Sequence, residues 1–137
     1  MACKVLAIVQ ARVSSTRLPG KVLKKVNGKP LIEILFHRLS KSKKIDEIIL
    51  ATSESSENDS LANLIKKRGY DVFRGSENDV LGRYFEAANK YQPKSVVRIT
   101  GDCPIIDPAI IDEVISLYEK ENANYASNTN PPTYPDG

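Results

Sequence analysis

The chain has 137 residues, 41% of them hydrophobic and 27% charged, which is the balance of one soluble globular domain and excludes general disorder. Its apolar runs fall far short of the ~18 residues of a membrane span, and MACKVLAIVQAR lacks the apolar length and cleavage site of a secretory signal. The net charge of +3 hides an asymmetry, +10 over residues 1–44 and −7 over residues 45–137, so the first third is suited to an anionic ligand.

In chain order, Val5–Val9 reads as a first strand, followed by the loop QARVSSTRLPGK. Pro30 is expected to open a helix running to about Lys41, with Leu31, Ile34, Leu35, Phe36 and Leu39 on its buried stripe. His37 lies beside that stripe as a helix-surface residue. It is the sole histidine, so a histidine-centred triad or metal site has little support. Glu47–Ala51 is the second strand, and the polar stretch TSESSEND leads into a helix from about Asn58 to Arg68, ended by Gly69. Asp71–Phe73 is a short strand. Ser76 and Asp79 have the spacing of a capping box for a helix to about Tyr91.

Ser95–Thr100 reads as a buried strand, and Asp107-Pro108 supplies an N-cap and a first-turn proline for a helix to about Glu121. Asn124–Ser127 is expected to begin a further strand, before the turn-rich NTNPPTYPDG. A domain rarely ends on such a loop, so a fragment truncated at its C-terminus is expected. Strands alternating with helices predict an α/β fold with a mostly parallel sheet. No repeat or low-complexity segment interrupts it. Cys3 and Cys103 form neither a C-x-x-C pair nor a disulfide framework and read as packing thiols.

The loop after the first strand is neither a P-loop nor a glycine-rich dinucleotide fingerprint. It places Arg12, Ser14, Ser15, Thr16, Arg17 and Lys21 within ten positions. Guanidinium forks, an ammonium, hydroxyls and loop amides together suit phosphate oxygens. A plain basic surface loop is the alternative. The position after a strand favours the phosphate reading, because ligands gather at the carboxyl ends of parallel strands. Asp102, in RITGDCPIIDP, follows another strand and so reaches the same edge. There it is a hard oxygen ligand suited to Mg²⁺, which takes one or two carboxylates plus substrate phosphates. Closing a Gly-Asp turn is the alternative role.

Four stretches in order carry a resemblance: IVQARVSSTRLPGKVLKKVNGKPLIE, FRGSENDVLGRY, RITGDCPIIDP and YASNTNPPTYPDG. They resemble the cytidylyltransferases that activate acidic sugars, the CMP-acylneuraminate and CMP-KDO synthetases, and above all their SpsF-like relatives of spore-coat polysaccharide synthesis. The resemblance covers nearly the whole chain. It implies a three-layer, Rossmann-like, GT-A-like nucleotide-diphospho-sugar transferase fold. Residues 1–137 would be the N-terminal nucleotide-binding part of one nucleotidyltransferase domain. It also implies that Arg12, Ser15, Arg17 and Lys21 bind triphosphate, that Asp102 holds Mg²⁺, and that Gly75 and Ser76 lie near the nucleotide. Catalytic work falls on Arg12, Lys21 and Asp102, and Tyr134 and Asp136 approach the acceptor. Ser53 stands where the classical synthetases usually carry an aspartate, and the family's second metal carboxylate lies beyond Gly137.

The implied reaction transfers CMP from CTP to a sugar oxygen and releases pyrophosphate. The expected partners are CTP and a sugar acceptor, with no nucleic acid and no membrane, and a homodimer is admitted. The expected location is the cytoplasm. Three rival readings stay open: a GT-A-type glycosyltransferase, a nucleotide-binding piece without catalysis, and a nucleic-acid binder. The first usually carries a D-x-D motif, absent here. The last is weakened because residues 10–30 contain no aromatic side chain to stack bases.

Overall fold

A computed structural model describes residues 4–14 and 16–132. In chain order it contains β1 (Val5–Gln10), a 3₁₀ turn (Lys21–Leu23), β2 (Lys25–Val26), β3 (Lys29–Pro30), α1 (Leu31–Leu39), β4 (Glu47–Ser53), a second 3₁₀ turn (Ser56–Asn58) and α2 (Asp59–Lys67). After these come β5 (Asp71–Gly75), α3 (Val80–Tyr91), β6 (Ser95–Thr100) and α4 (Pro108–Lys120). Four strands form a parallel sheet in the order β5-β4-β1-β6. The α/β expectation holds.

Alternation along the strands builds the layers. Val5 and Val9 of β1 and Leu50 of β4 face a core shared with α1, α2 and α4. Leu6, Ile8, Ile49 and Ala51 face the other way, against Ala87, Ala88, Tyr84 and Tyr91 of α3. With both faces covered, β1 is apolar at nearly every position, as a central parallel strand must be. Each fully buried Leu or Ile there contributes roughly 1.5–3 kcal/mol of transfer free energy.

The helix ends follow local chemistry. Gly69, at φ +88°, takes the left-handed position just after α2, as expected. Asp107 caps α4, its Oδ1 accepting from Ala109 N–H at 2.8 Å, with Pro108 in the first turn. α1 differs from expectation: Pro30 is its cap and Leu31 its first residue, and Ile32 is fully buried whereas Leu31 and Ile34 are half-buried. The cause is the β2–β3 hairpin, whose Asn27-Gly28 turn has φ +50° and +78° and delivers the chain to the helix one residue later. That Asn-Gly pair is a local hairpin signal between two short strands.

Ser76 does not cap α3. Asp79 does, with Oδ1 accepting from Gly82 N–H at 2.8 Å, while Ser76 Oγ accepts from Asp79 N–H. β6 is not a buried strand: among the described residues it is an edge, pairing with β1 alone and alternating between exposed and covered positions. Its β-branched run reads as interior because Val97 and Ile99 do pack inward, but Val96, Arg98 and Thr100 face outward. Asn124–Ser127 forms no strand; the nearest pairing is a lone bridge between Thr129 and Pro132.

Candidate active site

The carboxyl ends of β1 and β6 are held together by backbone contact. Gly101 N–H donates to Gln10 O at 2.8 Å, and a Cβ on Gly101 would lie 2.5 Å from Ala11 Cβ. Only glycine allows the two strands to leave the sheet this closely. The chain after β1 therefore runs beside the Gly101-Asp102 turn.

The β1 loop is anchored rather than loose. Val13 packs on the core, its carbonyl accepts from Gly20 N–H at 2.9 Å, and its N–H donates to Asn58 Oδ1 at 2.7 Å. Gly20, at φ +70°, permits the turn that returns the chain into Lys21. From this frame Lys21 reaches Asp102, with Nζ 3.7 Å from Oδ2. On the other side Arg12 reaches the β5–α3 turn, with Nη1 3.6 Å from Glu77 Oε1. The loop thus spans the sheet edge, with one cation at each end, each resting against a carboxylate. Arg17 lies between them in sequence and is exposed. Ser14 Oγ is buried and has no partner among the described residues.

Asp102 is held ionised. Partial burial alone would raise its pKa. Hydrogen bonds from the Thr100 hydroxyl and its own backbone, the Lys21 charge and the Cys103 thiol outweigh this and hold it below the ordinary carboxylate range. Cys103 Sγ lies 3.8 Å from Asp102 Oδ1 and 3.4 Å from Thr100 Oγ1, a polar neighbour rather than the packing thiol expected from sequence. Among the described residues no three His, Cys, Asp or Glu side chains converge as a metal-binding group. A single charged carboxylate does not make a protein cage, but it fits a cation whose other positions are filled by phosphate and water.

Gly75 and Ser76 lie at the β5–α3 turn that Arg12 approaches through Glu77. Gly75 is buried: a Cβ there would meet Phe73 Cε1 at 3.0 Å and Arg83 Cγ at 3.3 Å. The space it leaves is taken by Arg83, a residue the sequence reading missed. Arg83 is 1% exposed, donates from Nη1 to Ser76 O at 2.7 Å, and leaves Nε and Nη2 without partners among the described residues. Burial lowers its pKa, the Glu77 charge draws it back, and the nearby Arg12 lowers it again. Its position on the helix, immediately after Gly82 and four residues after the Asp79 cap, looks like any amphipathic-face arginine in one dimension. Ser15, Tyr134 and Asp136 lie outside the described residues.

The cytidylyltransferase family profile matches residues 6–134, and the chain belongs to that family. It is 39% identical to the spore coat polysaccharide biosynthesis protein SpsF of Bacillus subtilis, over 93% of this chain and 55% of SpsF. A solved cytidylyltransferase of Leptospira borgpetersenii superposes with a TM-score of 0.84 at 38% identity, covering 88% of this chain and 51% of that one. A CMP:2-keto-3-deoxy-manno-octonic acid synthetase solved with CTP superposes with a TM-score of 0.79 at 23% identity, over 88% of this chain and 49% of that one, which shows the shared fold. The chain spans about half the length of the curated relatives it matches.

Proposed function

We propose that this chain is the nucleotide-binding part of a CTP-dependent sugar nucleotidyltransferase, which forms a CMP-sugar and pyrophosphate, in the cytoplasm, for surface polysaccharide synthesis. The observation that carries this is the placing of Lys21 beside an ionised Asp102, with Arg12 at the opposite end of the same loop. An anion seated there meets cations on both flanks and a carboxylate able to share a divalent ion with it. Membership of the family supports cytosine as the base, and relatives that act on an acidic octulosonate support an acidic sugar. Among the described residues no helix is long and apolar enough to cross a membrane.

In the reaction a sugar hydroxyl oxygen bonds to the α-phosphorus, and the bond from that phosphorus to the β-phosphate oxygen breaks. The hydroxyl proton passes to solvent water, and pyrophosphate leaves. Arg12, Arg17 and Lys21 hold the β- and γ-phosphates and offset the charge that grows on the departing group. Asp102 would hold Mg²⁺, which would supply charge neutralisation of the phosphate oxygens. Arg12 and Lys21 rest on Glu77 and Asp102, and each carboxylate offsets the charge of its cation.

Residues 1–137 then form the nucleotide half of one nucleotidyltransferase domain. The roughly doubled length of its relatives supports this, as does the edge that β6 presents among the described residues, where Val96 is 45% exposed. Calorimetry with CTP, UTP, ATP and GTP in the presence of Mg²⁺ tests the reading. CTP should bind at least tenfold more tightly than the purine nucleotides. Equal affinity for all four, or no binding at all, rejects it.

A further inference from the structure

The turn between β4 and α2 has no part in the reaction above and is largely exposed, yet two polar side chains that flank it are fully buried. Ser53 and Asn58 are both 0% exposed. Asn58 Nδ2 donates to Ser53 Oγ at 2.6 Å, and Asn58 Oδ1 accepts from Val13 N–H at 2.7 Å, across 45 residues of sequence. The turn that carries Asn58 is itself clamped. Arg74 donates from Nε to Ser53 O at 3.0 Å and from Nη2 to Ser55 O at 2.8 Å, and its Nη1 lies 2.7 Å from Asp59 Oδ1.

We infer that Asn58 is a positioning residue for the β1 loop, fixing the Val13 peptide between Arg12 and Ser14 so that the loop is ordered before a triphosphate arrives. The inference rests on the proposed nucleotide site. Its physical basis is entropic: ordering a loop residue costs roughly 1–2 kcal/mol, and a loop already ordered does not draw that cost from ligand affinity. Asparagine suits the place because it accepts from the amide and donates to the serine hydroxyl without charge. An aspartate would bury a negative charge under the loop and compete for its cations. Ser53 is thereby assigned too. Buried and bonded to Asn58, its hydroxyl serves the loop rather than a sugar.

The experiment is calorimetric titration of the 137-residue chain and its Asn58→Ala variant with CTP and with CMP. A residue that only stabilises the fold would weaken both nucleotides alike. A residue that positions the phosphate loop should weaken CTP at least tenfold and CMP less than threefold, because CMP lacks the β- and γ-phosphates. Equal losses for the two nucleotides, or none, would overturn the inference while leaving the nucleotide site intact. Wild-type chain that binds neither CTP nor inorganic tripolyphosphate would overturn the site itself and this inference with it. If Asn58→Ala does not fold, Ser53→Ala removes the anchor of Asn58 Nδ2 with a smaller loss of packing, and the same two ratios decide.

Discussion

Lys21 Nζ lies 3.7 Å from Asp102 Oδ2, and the two side chains are 40% and 56% exposed. A half-exposed pair at this distance adds little to stability, roughly 0–1 kcal/mol. Its meaning is positional: it brings a loop cation to a carboxylate at the carboxyl edge of the sheet. Asp102→Asn keeps the shape and removes the charge. Its melting temperature should stay within a few degrees of wild type, while the gain in CTP affinity on adding Mg²⁺ should disappear. Titrations with and without Mg²⁺ measure this directly. A variant that keeps the full Mg²⁺ effect would make Asp102 a turn residue.

Arg17 is exposed on the same loop and takes no part in the core. Arg17→Ala should leave ligand-free stability within about 0.5 kcal/mol, the usual range for surface substitutions. It should weaken CTP by about 1–3 kcal/mol, the scale of hydrogen bonds to charged groups. Unchanged affinity by calorimetry would remove Arg17 from the site.

Gly101 has no room for a side chain, since its Cβ would sit 2.5 Å from Ala11 Cβ and 2.9 Å from Gln10 O. Backbone must shift to admit one. Gly101→Ala should cost about 1–3 kcal/mol, as for other overpacked sites, and should part β1 from β6 where Asp102 meets the loop. Urea unfolding gives the stability change. The same variant should bind CTP with Mg²⁺ more weakly than wild type.

Asp112 joins α4 to the turn after α1, accepting from Ser42 Oγ, from Lys43 N–H at 3.0 Å and from Lys44 N–H at 3.2 Å. Partial burial would raise its pKa, but these bonds and the Lys43 charge lower it overall. A carboxylate depressed in the folded state contributes stability that is complete above the unfolded value of ~3.9 and is lost as pH falls through the folded value. Asp112→Asn should therefore be about 1 kcal/mol less stable near pH 7. The gap to wild type should close as pH drops below 4. Denaturation at pH 7 and pH 3 tests the sign, and a gap that widens in acid would refute the assignment.

Much of this protein could be read from residue order alone. The apolar run of β1, the Gly69 stop after α2 and the Asp107-Pro108 start of α4 are local signals, each fixed by backbone conformation or a neighbouring side chain. They gave the alternation of strands and helices, and the cationic loop followed by a post-strand aspartate gave the candidate site. Tertiary structure decided what depends on partners far away in sequence. β6 looks like an interior strand by composition, yet it is an edge because only β1 lies beside it among the described residues. Arg83 and Asn58 look like a helix-face arginine and a turn asparagine. They are buried because Gly75 opens a space for one and Val13 presents an amide to the other. No local pattern encodes such meetings, since the energy of a buried hydrogen bond or a close backbone approach belongs to the pair and exists only once the chain has brought them together.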